Sequence, residues 1–387
     1  MTDKPKILFF YDYFFPGYKA GGPVQSLTNL IGALQYDYSF SVITTAYDLL
    51  SNEPYPAINQ NEWNNISLPN VQEQIKVWYA GKRKPSYFEL KMLLLAARPN
   101  IIYLNGVYSF RLFLLPLFIN LFSLSARVVV CPRGMLQSGA LSVKSGKKKY
   151  YIRFLQKSKL LNKVVWHATN TEEANDITRL FPNNKGVFIA SNIPKNPLES
   201  IALPNKKEGE LKLVYLSLIT EKKNLLLLLQ IMKGLPNNIK LDIYGPVKDS
   251  AYWAMCSNLI GELKGTVKYM GDIQPDKVQE TLSHYHSMIL LTKGENFGHA
   301  LYECLSVGRP LITSHFTPWN NLEQLKAGAN VDISDGQNCS NKIQAFANFS
   351  QIEYDVYCHN AHSIANQYFG HLQSRVQYKL LFEEDSL

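Results

Sequence analysis

Short apolar runs, each followed by a stretch of helical period, recur from one end of the 387-residue chain to the other. This alternation is the sequence form of a parallel sheet with crossover helices. In the first half it predicts strands over 7–11, 40–44, 101–104, 127–131 and 164–168. The helix after Pro23 places Val24, Leu27, Leu30, Ile31 and Leu34 on one face, with proline at its first position, where the missing N–H costs nothing. Ser86 with Glu89, and Asn170 with Glu173, read as capping boxes. Pro, Asn, Lys and Ser crowd residues 191–210, which places a domain boundary there. The alternation then restarts, with strands expected over 211–217, 240–244, 267–270, 288–291 and 310–313 and helices near Lys222, Asp249, Pro275, His299 and Trp319. The simplest account is α/β: two Rossmann-like, doubly wound domains in tandem, over 1–190 and 211–370, joined by a linker at 191–210 and followed by a tail at 371–387. Ligands of such sheets bind beyond the carboxyl ends of the strands, so functional residues are sought there.

Composition sets further limits. Apolar residues make up 46% and charged residues 18%, with 23 Tyr and 19 Phe, which excludes a disordered chain. The formal charge of +9 is unevenly held: residues 1–190 carry a net +11 and residues 191–387 a net −2. Such asymmetry concerns partners, namely anionic lipid, nucleic acid or phosphorylated substrate, and not the fold. Five cysteines without CxxC or zinc-finger spacing suggest neither a disulfide framework nor a structural metal, and fit a reducing cytosol. No secretory signal is expected, because the first apolar run stops at Asp12 and a Pro-Gly pair. The longest apolar stretch, 112–124, is interrupted by Pro116 and Asn120 and is too short to span a bilayer.

The most informative segment is 292–313, TKGENFGHALYECLSVGRPLIT. A buried strand is expected to end at Thr292, followed by a loop with Gly294, Glu295, Asn296, Phe297 and Gly298, and then a helix carrying His299 and Glu303. The N–H groups at such a helix start suit phosphate or sugar hydroxyls, Glu295 can accept from a polyol, and Glu303 can accept two bonds from a ribose diol. The competing reading makes Glu295 a loop charge and Glu303 a solvated helix residue. Lys223, with Lys222 equally available beside it, follows the first strand of the second half, where a surface charge is the plain alternative.

These residues resemble a family. The frame ENFGxxxxE, followed by Ser306, Gly308 and Pro310, is similar to the retaining nucleotide-sugar glycosyltransferases of family 4, in the glycosyltransferase group 1 class, which have the GT-B fold: two Rossmann-like domains facing a central cleft. The Gly21-Gly22-Pro23 loop, Pro132-Arg133-Gly134-Met135-Leu136, His167-Ala168-Thr169 with Glu173, Glu221-Lys222-Lys223-Asn224-Leu225, Ile243-Tyr244-Gly245-Pro246 and Thr317-Pro318-Trp319 fall in family order and extend the resemblance over most of the chain. It implies that Glu295 contacts donor-sugar hydroxyls, that amides around Asn296, Phe297 and Gly298 hold sugar or diphosphate, that Glu303 binds the ribose, and that Lys223 faces the diphosphate. Gly21 and Gly22 would let backbone approach the same phosphates, where side chains would obstruct. The tail would return to the first domain. The family's arginine five residues before Lys223 is replaced by Leu218, which leaves one cation short; Arg133 is placed to offset it. Arginine stays protonated and binds charge, so no mechanism with a general base at Arg133 is compatible. Retaining transfer by front-face attack needs no protein nucleophile. The implied activity is a hexosyltransferase of class EC 2.4 acting on a nucleotide-diphosphate sugar and a lipid-linked glycan acceptor, in capsule, O-antigen or exopolysaccharide synthesis. The alternatives are another GT-B enzyme, such as a nucleotide-sugar epimerase or phosphorylase, and a weakened sugar-nucleotide-binding scaffold, which Leu218 favours.

Residues 144–163 hold eight basic side chains and no acid. Lys147, Lys148, Lys149 and Arg153 interleave with Tyr151, Ile152, Phe154 and Leu155 as in a basic amphipathic helix, which suits an anionic membrane or a pyrophosphate-linked acceptor; the alternative is a solvated helix over the sheet. Peripheral attachment to the inner face of the cell membrane follows as the expected location. No nucleic-acid motif accompanies the run. His284 and His286 form an HxH pair without a third ligand nearby, and DxD, GxGxxG and GKS/GKT motifs are absent from the sequence, so neither metal nor cofactor is expected. Core packing is favoured for Trp319 over stacking on a base or sugar.

Overall fold

The computed structural model describes residues 4–83, 85–137, 145–158, 160–370 and 373–383. It divides into two compact units, Met1–Ile193 with Leu372–Leu387, and Pro194–His371.

In the first unit the described residues form one sheet of eight strands: β1 (Lys6–Phe10), β2 (Ser39–Thr45), β3 (Trp63–Ile66), β4 (Ile75–Ala80), β5 (Ile101–Asn105), β6 (Arg127–Cys131), β7 (Val165–Ala168) and β8 (Val187–Ile189), in the order β3-β4-β2-β1-β5-β6-β7-β8. Only β3, antiparallel to β4, departs from parallel pairing. The central strands are apolar at nearly every position because helices cover both faces. Helix α1 (Gly22–Leu34) and the C-terminal helix Ser374–Glu383 pack on one face. Helices α2 (Tyr87–Ala97), α3 (Leu115–Ser123, entered through a π turn at Phe110–Leu114), α4 (Ser145–Ser158) and α5 (Thr171–Leu180) lie on the other. The chain reverses direction across the sheet at β1, between β2 and β5, which opens the carboxyl edge there to ligands.

The apolar face read for α1 is buried as expected. Proline is its second residue, and Gly22 takes the first position behind Gly21, whose φ of 73° glycine adopts without strain. Ser86 and Glu89 form a reciprocal capping box.

The second unit holds a six-stranded sheet, wholly parallel among the described residues: β9 (Leu211–Leu216), β10 (Ile239–Tyr244), β11 (Val267–Gly271), β12 (Ser287–Leu290), β13 (Leu311–Ser314) and β14 (Gly328–Val331), in the order β11-β10-β9-β12-β13-β14. Helices α6 (Leu225–Met232), α7 (Ser250–Glu262), α8 (Val278–Ser283), α9 (His299–Ser306), α10 (Gly336–Ala347) and α11 (Gln351–Gly370) surround it. Its switch point lies at β9, between β10 and β12. Residues 194–210 have no regular structure but are anchored to this unit: His362 Nε2 lies 2.7 Å from the Leu198 carbonyl, and Lys206 Nζ donates to the Ala347 carbonyl at 2.6 Å.

The sequence pattern does not anticipate β3, β4, β8 or β14. The helix expected at Trp319 is absent: that segment forms turns, with Asn321 and Lys326 at positive φ, and Trp319 is buried. All five cysteines are free and buried, and burial pushes their thiols up to about 11 or 12.

Candidate active site

In the second unit, the carboxyl ends of β9 and β12 carry the residues singled out from the sequence. After β9 the chain makes a 3-10 turn, Glu221–Lys223, that ends on Asn224 at φ 57° before α6 begins. The loop after β12 is stitched to this turn: the Lys293 N–H donates to the Lys222 carbonyl at 2.8 Å, and the Thr292 hydroxyl donates to the same oxygen at 3.3 Å. Gly294 sits against the Lys222 side chain, where an added Cβ would lie 3.3 Å from Cε. The Glu295 N–H donates to the Phe316 carbonyl at 2.8 Å. So held, the Glu295 carboxylate pairs directly with Lys223 Nζ, and both side chains are largely buried. Burial lowers the pKa of Lys222, and the neighbouring Lys223 charge lowers it further.

Gly298 caps α9 in the left-handed region, with φ 76° and ψ 65°, and an added Cβ would meet Leu301 Cδ1 at 2.9 Å. Phe297 and His299 are buried, their rings 4.7 Å apart at a steep angle. The Phe297 carbonyl accepts from Trp319 Nε1 at 2.7 Å, which makes Trp319 a core brace for this loop. Asn296 is half-buried.

Glu303 is 4% exposed, so the solvated-face reading fails. Its Oε1 pairs at 3.1 Å with Lys195 Nζ, which also donates to the Pro275 carbonyl at 2.6 Å. Lys195 lies in the irregular stretch before β9, where no periodicity or motif marks a site.

In the first unit, Gly21 and Gly22 open α1, and Arg133 follows β6 with φ 54°. Arg133 Nε donates to Asn105 Oδ1 at 2.7 Å, Nη1 to Asn192 Oδ1, and Nη2 to the Tyr103 hydroxyl at 3.3 Å. Three of its five N–H donors are thereby used, and two remain for a ligand. Behind it lies buried His167, whose Nε2 faces the Ala190 carbonyl at 2.9 Å. A carbonyl can only accept, so Nε2 carries the proton and Tyr103 donates to Nδ1, 2.6 Å away. Burial, helped by the Arg133 charge, pulls the His167 pKa down to about 3. Glu173, also buried, accepts from the Gly134 N–H at 2.6 Å and from the Thr169 N–H and hydroxyl at 2.8 Å each, tying the Arg133 turn to α5. Asn105, Asn192 and Tyr103 escape sequence reasoning, since the end of β5, its interior and the loop after β8 meet at Arg133 only in the folded sheet. A cavity of about 130 Å³ opens at the carboxyl ends of β1 and β5, lined in part by Asp12, Asn105, Tyr108 and Ser109.

Lys147, Lys148, Lys149 and Arg153 lie on α4. That helix buries Ile152 and Leu155 against the sheet, and Tyr151 donates to the Val107 carbonyl at 2.6 Å. Lys144 and Lys159 of the basic run fall outside the described residues. His286 is a structural residue, with both ring nitrogens engaged by backbone at 3.0 and 3.1 Å. Among the described residues no three His, Cys, Asp or Glu side chains group as metal ligands, and no helix is long and apolar enough to cross a membrane.

The two parallel-sheet units match the GT-B architecture. HepE of Anabaena, solved in complex with UDP and glucose, superposes with a TM-score of 0.71 at 14% identity, covering 97% of this chain and 98% of that one. Sucrose-phosphate synthase from Thermosynechococcus elongatus gives 0.70 at 14% identity, covering 98% of each chain. WaaG, a glycosyltransferase involved in lipopolysaccharide biosynthesis, gives 0.66 at 11% identity, covering 98% of this chain and 100% of that one. Among curated proteins none matches the chain by sequence. Residues 199–362 match the family model described as glycosyl transferases group 1, a span that contains Lys222, Lys223, Glu295 and Glu303. Fold and matched domain together define a glycosyltransferase of the GT-B type. Within that class, the second unit is the part that matches the glycosyl transferases group 1 model.

Proposed function

We propose that this enzyme transfers a sugar, with retention of anomeric configuration and without a metal ion, from a nucleoside-diphosphate sugar to a lipid-linked glycan acceptor at the inner face of the cell membrane, in the synthesis of a surface polysaccharide. The observation that carries the donor half is the Lys223–Glu295 pair, set at the carboxyl ends of β9 and β12 inside the matched domain. HepE has been solved with UDP-glucose, which supports a nucleotide-sugar donor. Glu303 holds the ribose hydroxyls. Asn296, Phe297, Gly298 and His299 form the loop that receives sugar and diphosphate, and Gly21, Gly22 and Arg133 serve the phosphates from the first unit.

In the transfer, the donor's C1–O bond breaks and its electron pair goes to the departing phosphate oxygen. The acceptor hydroxyl attacks C1 from the same face and gives its proton to that oxygen. Charge on the diphosphate grows as the bond breaks, so a fixed cation at Lys223 stabilises the transition state more than the ground state. Glu295 orients that cation and contacts the sugar. Lys222, half-buried in the same turn, supplies the second positive charge that Leu218 does not. The cavity at the ends of β1 and β5, with Asp12, Asn105 and Ser109 among its lining residues, receives acceptor hydroxyls. Leu218 is also the one observation favouring a binding protein without turnover.

A panel of nucleotide sugars, with Mg²⁺ or with EDTA, is screened for thermal stabilisation of the wild type and of Glu303→Ala, since a ligand of the folded state raises apparent stability. A shift in EDTA that is lost in the variant supports the reading. Turnover that survives Lys223→Ala undiminished refutes the mechanism, and binding with no turnover on any acceptor favours the scaffold.

A further inference from the structure

Three of the four helices on one face of the first sheet, α2, α3 and α4, carry large apolar side chains outward as well as inward. Toward the strands they bury Leu90 and Leu94 of α2, Leu117 and Ile119 of α3, and Ile152 and Leu155 of α4. The outer side of a surface helix is normally polar. Here each helix instead exposes a pair of large apolar side chains one turn apart: Phe88 and Met92 on α2 (76% and 66% exposed), Phe118 and Phe122 on α3 (46% and 67%), and Tyr150 and Phe154 on α4 (74% and 53%). Spacing of i and i+4 puts the members of each pair side by side. Phe118 and Phe122 touch, ring centroids 4.9 Å apart. An apolar face of this extent on one layer of helices signals a partner.

Charge identifies that partner. From Leu90 to Thr171 the sequence contains thirteen lysines and arginines and not one aspartate or glutamate. Glu89, bound into the capping box, is the single carboxylate in the described residues of α2, α3 and α4. Acids reappear at α5, with Glu172, Glu173 and Asp176, where the apolar pairs end. A protein partner that presents charges of both signs would be met by both signs here. Bulky apolar side chains set among cations, with Glu89 the one carboxylate in the described residues of the three helices, suit acyl chains beneath anionic headgroups, and the helices would lie along the interface without crossing it.

We infer that the outer face of α2, α3 and α4 is a docking surface for an anionic lipid bilayer, with Phe88, Phe118, Phe122 and Phe154 entering the headgroup boundary and the α4 cations holding the headgroups. The face goes beyond the basic run itself, since α2 and α3 contribute most of the apolar area. Its purpose, delivery of the enzyme to a lipid-borne acceptor, rests on the function proposed above; the surface rests on its own geometry.

The test is co-sedimentation of the full chain with vesicles of phosphatidylcholine alone or with 30% phosphatidylglycerol, at low and high salt. Wild type is expected to bind the anionic vesicles at least tenfold better than the neutral ones, with binding weakened by salt. Phe88→Ser/Phe122→Ser is expected to weaken partition at least tenfold while keeping its melting temperature and its thermal response to nucleotide sugar. Lys147→Gln/Lys149→Gln/Arg153→Gln is expected to weaken binding and flatten its salt dependence. Equal binding by wild type and the phenylalanine variant, or no binding to anionic vesicles, overturns the inference. So does a wild-type dimer that the phenylalanine substitutions dissolve, which would assign the face to a second copy. Vesicle binding without any nucleotide-sugar response leaves the surface standing and refutes the donor reading instead.

Discussion

His286, 3% exposed, is expected to make the second unit acid-labile. Its Nδ1 accepts from the Lys212 N–H at 3.0 Å and its Nε2 lies 3.1 Å from the Asn205 carbonyl, so the neutral ring carries its proton on Nε2. Protonation would place a second N–H on Nδ1, directly opposed to the Lys212 donor. Burial, first, and then the charges of Lys206, Lys212 and Arg309 oppose it, outweighing the bond to Asn205, and the pKa falls to about 4 from 6.5. A depressed folded-state value fixes the sign. Above pH 6.5 the contribution to stability is complete. As pH falls, the unfolded chain takes up a proton that the folded chain refuses, and stability drops by about 1.4 kcal/mol per pH unit until near pH 4. Between pH 7 and pH 5 the loss is about 2 kcal/mol. His286→Asn keeps an acceptor for Lys212 and cannot titrate. Urea unfolding of wild type and variant at both pH values isolates this group, because the other histidines cancel in the comparison. The wild type is expected to lose about 2 kcal/mol more than the variant. Parallel losses, or an imidazole titrating near its ordinary value by NMR, would refute the argument.

Three further outcomes follow from geometry. Lys195→Met leaves the Glu303 carboxylate buried without its cation and is expected to cost about 3 kcal/mol in urea unfolding, with nucleotide affinity reduced and both restored by Lys195→Arg. Glu173→Ala releases the Gly134 turn and is expected to cost about 3 kcal/mol, with Glu173→Gln milder because its amide oxygen still accepts; the same unfolding assay reads both. Gly245→Ala would set a Cβ 1.9 Å from the Ser217 carbonyl oxygen at φ 139°, so a loss of about 4 kcal/mol or more, or no soluble protein, is expected on expression.

Strands buried on both faces are legible because nearly every position is apolar, and β1, β5, β6, β9 and β12 were found within a residue or two of their ends. The edge strands carry no such mark: β3 alternates exposed and half-buried residues, and β8 runs from half-buried to exposed at Ile189. Four-residue β14, with Gly328 and Asn330, offers no pattern to read. At Trp319 a helical reading failed because two left-handed residues turn the chain. The donor-side carboxylates and Lys223 were legible through spacing relative to the strands and through resemblance. Their partners were not. Lys195 meets Glu303 from more than a hundred residues away on irregular backbone, and Arg133 is gripped by a strand-end asparagine, a tyrosine inside β5 and a loop asparagine, pairings that only the folded sheet creates. Nor can periodicity tell that an outward helical face is apolar when the inward one is too.

The buried thiols give the molecule a chemical property of its own. An alkylating reagent attacks thiolate, and with every cysteine enclosed and its pKa near 11 or 12, the native chain offers almost none at neutral pH. Modification must therefore wait for the surrounding structure to open. Cys131 lies on β6 of the first unit, and Cys256, Cys304, Cys339 and Cys358 lie on α7, α9, α10 and α11 of the second. Peptide-resolved labelling over time would thus report the opening of each unit separately, with no engineered probe, and a cysteine placed on the surface could be tagged against a silent background.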